Sequence, residues 1–287
     1  METKLPVKTK NIILDYSTKP LNYHIETTTL LVSNNDQKTN TIKADVTKTC
    51  VKKDNYGVLF SLEIKNRKQS NLEGNSALEN ELAWLQQKLI LYCNNKGEIT
   101  TVVNREQIKE DWYFYRKNIK QNYKKTVDNI DLILDGTEAL LGDEKAFIEL
   151  ITKSEIGTLL FPPIYNQELS VKTPLRQQKT FSQFFDDYEL PLSLKTTLLD
   201  HKEAINHQII RSGSINTNTF QSAKVKRFFR KLHNAQDLIV DIDAAYLETY
   251  DLGIFNNVYS ATQMMGVEIK DLYRYRQISK LKKIRNA

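Results

Sequence analysis

Two neighbouring stretches decide the fold: residues 41–52, TIKADVTKTCVK, and residues 58–65, VLFSLEIK. In both stretches apolar side chains largely alternate with polar ones. Alternation with a period of two is typical of a β-strand that has one buried side and one side in water. The residues between them, Lys53–Gly57, include Asp, Asn and Gly, which favour a turn. The sequence therefore predicts an antiparallel pair of strands.

Similar patterns extend this pair on both sides. Asn22–Val32 is rich in Thr and other β-branched residues, which suit a strand, and Lys88–Val103 is split by a turn at Asn94–Gly97 into a hairpin. The last third of the chain contains further alternating segments, at Leu190–Leu198, Ala204–Ser212, Leu238–Thr249, Ile254–Met264 and Val267–Ile278. In the final segment, Val267, Ile269, Tyr273 and Tyr275 are predicted to share one face.

The middle of the chain has a helical period. Apolar and aromatic residues recur every three or four positions between Asn104 and Lys125. Asn104 followed by Gln107 indicates a variant of the capping box at the start of this helix. Asp128 and Asp143 are predicted to cap two more helices, and the Pro pair after Phe161 ends the section. Shorter helices are predicted at Ala77–Gln87 and Phe220–Leu232.

These elements predict the α+β class, with a large curved antiparallel β-sheet made of two strand sets and packed around a central helical insert. We expect a single domain, with one strand set in residues 1–103, the insert in residues 104–160 and a second strand set with one helix in residues 161–287. Two small α+β domains meeting at Phe161–Tyr165 are the alternative. The single sheet is preferred because the apolar stripes of the insert need a partner surface.

Composition and charge narrow the class of protein. The chain has 287 residues, of which 40% are hydrophobic and 26% charged, and its net charge is +6. It contains no run of about 18 apolar residues that could span a bilayer and no signal-peptide core. A cytoplasmic location is therefore predicted. Cys50 and Cys93 are expected to be small buried residues, since two cysteines cannot form a disulfide scaffold.

The sequence lacks the common catalytic and phosphate-binding motifs. The best metal candidate is the segment Asp200–His207, but a strand would separate His201 and His207 by about 20 Å, too far for one ion. Asp241 and Asp243 alternate with apolar residues, which is typical of the wet side of a strand. We therefore expect no metal, no cofactor and no enzymatic activity.

Two features indicate an interaction surface. Four consecutive aromatic residues, Trp112–Tyr115, cannot all face inward on a helix, so at least one of Tyr113 and Phe114 should lie off the main apolar stripe. Enclosure of the helix by the sheet on several sides is the preferred explanation, and an aromatic patch left for a partner or ligand is the alternative. Basic residues surround two phenylalanines in residues 224–231, and a second basic run occupies residues 274–285. The candidate interaction residues are Tyr113, Phe114, Lys224, Arg227, Arg230 and Lys231.

The leading functional prediction is a non-enzymatic binding protein that acts as a protein-interaction module, such as an adaptor, chaperone or assembly component. One alternative is a carrier of an apolar ligand held between sheet and helices. A second is a nucleic-acid-binding protein that uses the basic runs 224–231 and 274–285, although local charge compensation argues against it. Another protein is the expected partner.

Overall fold

The computed structural model describes residues 9–13, 18–33, 36–73, 75–199 and 207–284. These residues form thirteen strands, six α-helices and two short 3-10 helices at Ala83–Gln86 and Ile254–Asn256. The first strands are β1 (Thr9–Asn11), β2 (Leu21–Ser33), β3 (Asp36–Lys53), β4 (Gly57–Gln69), β5 (Lys88–Asn94) and β6 (Ile99–Val102). The later strands are β7 (Glu168–Ser170), β8 (Leu175–Phe185), β9 (Tyr188–Leu199), β10 (His207–Ile215), β11 (Ile242–Leu252), β12 (Val258–Ile269) and β13 (Tyr273–Ile284). The α-helices are α1 (Asn75–Leu82), α2 (Arg105–Tyr123), α3 (Ile130–Gly142), α4 (Glu144–Lys153), α5 (Glu155–Leu160) and α6 (Ser222–Leu232).

Eleven of these strands form one antiparallel sheet with the order β6-β5-β4-β3-β2-β13-β12-β11-β10-β9-β8. The N-terminal and C-terminal strand sets meet where β2 pairs with β13, with Ile25 opposite Leu281. The sheet is open, and its two edges are β6 and β8. The remaining strands, β1 and β7, form a separate antiparallel pair. The large antiparallel sheet predicted from the sequence is thus confirmed, as is the mixed α and β class.

The alternation of the strands places most apolar residues on one side of the sheet, which we call the inner side. There they form two hydrophobic clusters. The first joins β2–β5 to the helices α1–α5, and its most deeply buried members include Leu62, Leu91, Trp112, Leu134 and Phe147. The second joins β9 and β11–β13 to α6 and includes Leu190, Phe229, Tyr246 and Val267. Each such buried side chain stabilises the fold by roughly 1.5–3 kcal/mol.

Several predicted boundaries need correction. The predicted strand Val267–Ile278 is wrong, because Val267 and Ile269 end β12 while Tyr273 and Tyr275 begin β13. The four residues do share the inner side, but as cross-strand pairs, Val267 with Tyr275 and Ile269 with Tyr273. The sequence analysis also missed β1, β7, β8 and α5.

Two of the three predicted N-cap positions, Asn104 and Asp143, are right, and only Asp143 caps its helix with its side chain. The carboxylate of Asp143 accepts a hydrogen bond from the Ala146 N–H, as predicted for α4. Asn104 precedes α2, but its side chain accepts from the Ile90 N–H and donates to the Lys88 carbonyl, so it anchors the helix to β5 and does not cap it. The residue at the start of α3 is Asn129 and not Asp128.

The helices α2–α5 follow one another between β6 and β7, in the section predicted to be a helical insert. Their central position, the curvature of the sheet and the single domain stay predictions. No helix in the described part of the chain is both long and apolar enough to cross a membrane.

Candidate functional site

A cavity of about 320 Å³ lies between the sheet and the helices. The sheet contributes inner-side residues of β2, β3 and β4, namely Ile25, Thr27, Ile42, Ala44 and Ile64. The helical wall consists mainly of Leu82, Leu85, Leu140, Leu150 and Ile156. The walls are aliphatic because the alternation of the strands and the helical period both direct apolar side chains here. The cavity is therefore suited to an apolar molecule.

Charged groups stand at one side of this cavity. Arg67 donates hydrogen bonds to Gln69 Oε1 at 3.1 Å and to the side-chain carbonyl of Asn80. Burial lowers the pKa of Arg67, while the nearby carboxylates of Glu155 and Glu79 act in the opposite direction. Both glutamates also line the cavity. A ligand would therefore meet one cation and two carboxylates at this side and mainly aliphatic groups elsewhere, with Thr27, Gln86 and Thr137 among them.

A second set of polar groups is enclosed on the inner side of β8–β12 around Glu248, which is 0% exposed. Its Oε2 accepts from Arg211 Nη1 at 2.5 Å and from the Tyr250 hydroxyl at 3.0 Å. Its Oε1 accepts from Lys179 Nζ at 3.1 Å and from the Tyr246 hydroxyl. We call these five residues the Glu248 network.

The electrostatics of the network favour the ionised carboxylate. Burial alone would raise the pKa of Glu248, but the charges of Lys179 and Arg211 outweigh it, so that the pKa is lowered. Burial lowers the pKa of Lys179, against the effect of Glu248. Burial is also the largest cause of the raised pKa values of Tyr246 and Tyr250, so both phenols stay protonated donors.

The network lies at the boundary between the two hydrophobic clusters, since Tyr250 belongs to the first and Tyr246 to the second. Four donors fill the acceptor sites of the Glu248 carboxylate, which can accept about four hydrogen bonds. The arrangement therefore leaves little capacity for a substrate. The sequence analysis did not identify this enclosed cluster of titratable residues.

The signal for this network was the position of Glu248 on the otherwise apolar side of β11. Asp241 and Asp243 occupy the opposite parity and are exposed, which confirms that they lie on the wet side. Glu248 instead falls between Tyr246 and Tyr250 on the buried side.

Lys48 is a second buried charge that the sequence analysis missed. It sits on the inner side of β3 and is 6% exposed. Its Nζ donates to the Leu160 carbonyl at 3.0 Å and lies 4.3 Å and 4.1 Å from the ring centres of Phe60 and Phe161. Burial lowers its pKa to about 8. Cys93 is buried as predicted, and Cys50 is only partly buried.

The aromatic residues of α2 lie on different sides of the helix, and those off the buried stripe are exposed and not enclosed by the sheet as preferred. Trp112 is buried, whereas Tyr113 and Phe114 are 79% and 74% exposed. Their rings contact each other edge to face, with centroids 6.0 Å apart. They form an exposed aromatic pair on the surface of the helix.

The basic residues of α6 are mostly in water. Lys224, Arg227 and Lys231 are exposed, while the Arg230 Nε donates to the Leu238 carbonyl. Phe229 is buried, and Phe228 is partly buried against the same hydrophobic cluster.

The two basic runs lie on opposite sides of the sheet. Phe229 of α6 contacts Tyr273 on the inner side, with ring centres 6.0 Å apart. Arg274 and Arg276, of the opposite parity in β13, are exposed on the other side, and Arg274 is paired with Glu268. Arg285, at the end of this run, lies outside the described residues. A nucleic acid on one side of the sheet would therefore not contact both runs.

The metal candidate falls largely outside the described residues, which omit 200–206 and with them His201 and Glu203. His207 is described, and its Nε2 lies 2.6 Å from Lys10 Nζ. In the part of the chain that the structure describes, no group of three or more His, Cys, Asp or Glu residues could hold a metal ion.

Comparison with known proteins gives little guidance. No protein-family model matches the chain, and no curated protein matches it. Among solved structures, one of lipovitellin, described for its lipid–protein interactions, aligns with a TM-score of 0.45 and 7% sequence identity. The alignment covers 94% of this chain but only 25% of the lipovitellin chain. A likeness at this score carries no argument about function.

Proposed function

We propose that this protein is a non-enzymatic carrier of a small apolar ligand. The observation that supports the proposal is the aliphatic cavity of about 320 Å³ between the sheet and the helices. Its volume is at the lower end of the range for ligand sites, roughly 300–1,000 Å³. A bound ligand would remove the apolar surface of the walls from water, which stabilises the complex by roughly 25 cal/mol per Å².

The charged side of the cavity constrains the ligand. Arg67 already donates to Gln69 and Asn80, and two carboxylates lie near it. An anionic group on the ligand would be repelled by the carboxylates of Glu79 and Glu155 at this side. The favoured ligand is therefore a mainly aliphatic molecule with at most a neutral or cationic polar end.

The direct test is mass spectrometry of the protein under native conditions, followed by analysis of an organic extract. We expect an apolar molecule bound in a one-to-one ratio. Thr137, half-buried on α3, lines the cavity, so Thr137→Phe should fill it and weaken binding of the uncharged fluorescent probe N-phenyl-1-naphthylamine by about tenfold or more.

Leu132→Phe is the matched control, because Leu132 is on the same helix and is 72% exposed. It should leave binding of the probe unchanged. An empty extract, together with equal probe binding by both variants and the wild type, would refute the carrier function.

The second candidate is the protein-interaction module, supported by the exposed aromatic pair Tyr113 and Phe114. Aromatic residues are enriched at protein interfaces, and neighbouring exposed apolar side chains are typical of interaction sites. A partner that co-purifies with the wild type but not with the double variant Tyr113→Ser, Phe114→Ser would support it. Identical co-purification by both forms would count against this surface.

A further inference from the structure

Among the residues that the structure describes, the strand β8 forms a long edge of the sheet with no strand beyond it. It has 11 residues and pairs with β9 on its other side, whereas the opposite edge strand, β6, has four residues. From Leu175 to Phe181 it keeps a regular antiparallel register with β9, before the irregularity that precedes Phe185. Every second residue of an edge strand directs its backbone N–H and C=O away from the sheet, where another strand can bind.

Features that usually protect such an edge are weak in β8. The strand contains no proline, and its inward-facing charge, Lys179, is engaged by Glu248. Edge strands are commonly protected by proline, by inward charges or by shortness. The backbone of Leu175–Phe181 is thus available for hydrogen bonding.

The outer side of this edge carries an uncompensated positive charge. Arg176 of β8 lies directly opposite Lys195 of β9, and both are exposed. Like charges that face each other across strands are destabilising. Within the described ranges, neither residue is in an ion pair. Together with Gln178 and Ser193 they line a shallow depression of about 510 Å³.

We propose that β8 is a docking site for an extended acidic segment of a partner protein. The segment would add to the sheet as a further strand beside β8 and place a carboxylate near Arg176 and Lys195. Strand addition gains affinity from main-chain hydrogen bonds and specificity from side-chain contacts. This surface is separate from the ligand cavity, and the inference does not depend on the carrier function.

The charge of β8 also decides between possible occupants. Its sequence, LRQQKTFSQFF, has two basic and no acidic residues. Pairing with the β8 strand of a second copy would add like charges to an edge that already has an excess of them. An acidic segment instead supplies the missing counter-charge.

The test uses a fluorescein-labelled octapeptide of alternating Glu and Val, with a Lys and Val peptide as its counterpart, in fluorescence anisotropy. We expect saturable binding of the acidic peptide alone. Arg176→Glu and Lys195→Glu should each weaken it by about tenfold or more, since a charge-assisted contact is lost and reversed. Lys282→Glu, which changes an exposed lysine on β13, should have no effect.

Two further peptides distinguish strand addition from simple charge attraction. An added strand uses the N–H groups of alternate residues only, so N-methylation at one set of alternate positions should abolish binding and methylation at the other set should not. Equal binding of both methylated peptides would overturn the proposal, as would binding of the Lys peptide. A wild-type dimer in sedimentation that the acidic peptide fails to dissociate would assign the edge to a second copy and also overturn it.

Discussion

Replacing Lys48 with Met should change how the stability of the protein depends on pH. Burial lowers the pKa of Lys48 from 10.5 to about 8 in the folded protein, whereas the unfolded chain keeps the ordinary value. Between these two values the folded state has released a proton that the unfolded state still holds. The free energy of unfolding therefore rises with pH in this window, and it is lowest below pH 8, where both states are protonated.

The size of the effect follows from the two pKa values. Each pH unit within the window is worth about 1.4 kcal/mol for one proton. The wild type should gain about 2 kcal/mol over Lys48→Met between pH 7 and pH 9.5. Burial raises the pKa of Cys93 to about 12. Because the unfolded chain loses this proton at a lower pH than the folded protein, the free energy of unfolding falls as the pH rises above the ordinary thiol pKa of 9.0. Lys48→Met removes a charge that lowers the pKa of Cys93. The folded protein keeps this thiol protonated up to about pH 9.5 with or without Lys48, so the effect cancels in the difference over this range.

Urea unfolding of both proteins at several pH values measures this difference. Lys52→Met is the control, since Lys52 is an exposed lysine on the same strand, and its curve should run parallel to that of the wild type. The absolute stability of Lys48→Met is less informative, because the substitution also removes the hydrogen bond to Leu160. A constant difference between wild type and Lys48→Met from pH 7 to pH 9.5 would refute the reasoning.

Three further substitutions test the core, a turn and a helix. Glu248→Gln should lower the free energy of unfolding by about 3–5 kcal/mol, because it leaves two buried cations without a counter-charge. Glu268→Gln, which removes an exposed ion pair, is the control in urea unfolding. A loss of stability in Glu248→Gln no larger than in this control would contradict the prediction. Gly97→Ala should lower the melting temperature, since Gly97 has a φ of +87° and a Cβ there would lie 2.6 Å from the Tyr165 ring. Gly136→Ala, with open space at the Cβ position on α3, should instead stabilise the protein by roughly 0.5–1 kcal/mol, and a lower melting temperature for it would argue against this account.

Alternation in the sequence predicted strands well where one side of the strand is apolar throughout. It predicted β2 and β9 to within a few residues, because their inner sides face the hydrophobic clusters. It failed for β8, where the inner-side residues Gln177 and Lys179 belong to a polar layer with Arg211 and Glu248. A strand that is polar on both sides has no period-two signal to detect.

The error at the C-terminus has a different cause. The inward residues Val267, Ile269, Tyr273 and Tyr275 keep the same parity through the turn between β12 and β13. The alternation therefore continues across the turn, and only Asp271, with a φ of +60°, marks the change of direction. Local pattern alone could not separate these two strands.

The cavity and the Glu248 network were beyond prediction for a common reason. Each depends on residues that are distant in sequence and are brought together by strand register or by helix packing. Glu248 and Arg211 are directly opposite each other in the β10–β11 register. Lys179 reaches them from β8, two strands from Arg211 and three from Glu248. A single sequence shows three unrelated polar residues at these positions, although Glu248 alone does break an apolar pattern.

The first and last strand sets depend on each other through β13. This strand contributes Leu281 to one hydrophobic cluster and contacts the other through Tyr273 and Tyr275, while β2 and β12 pair with its two edges. The pairing of β2 with β13 joins residues near opposite ends of the chain. Closing this long loop costs conformational entropy, and the cost is compensated only when both strand sets are formed.

The Glu248 network also spans the boundary between the clusters, since Tyr250 and Tyr246 reach it from either side. A buried ion pair adds little net stability but is costly to break, so it favours the arrangement in which both clusters pack on the same sheet.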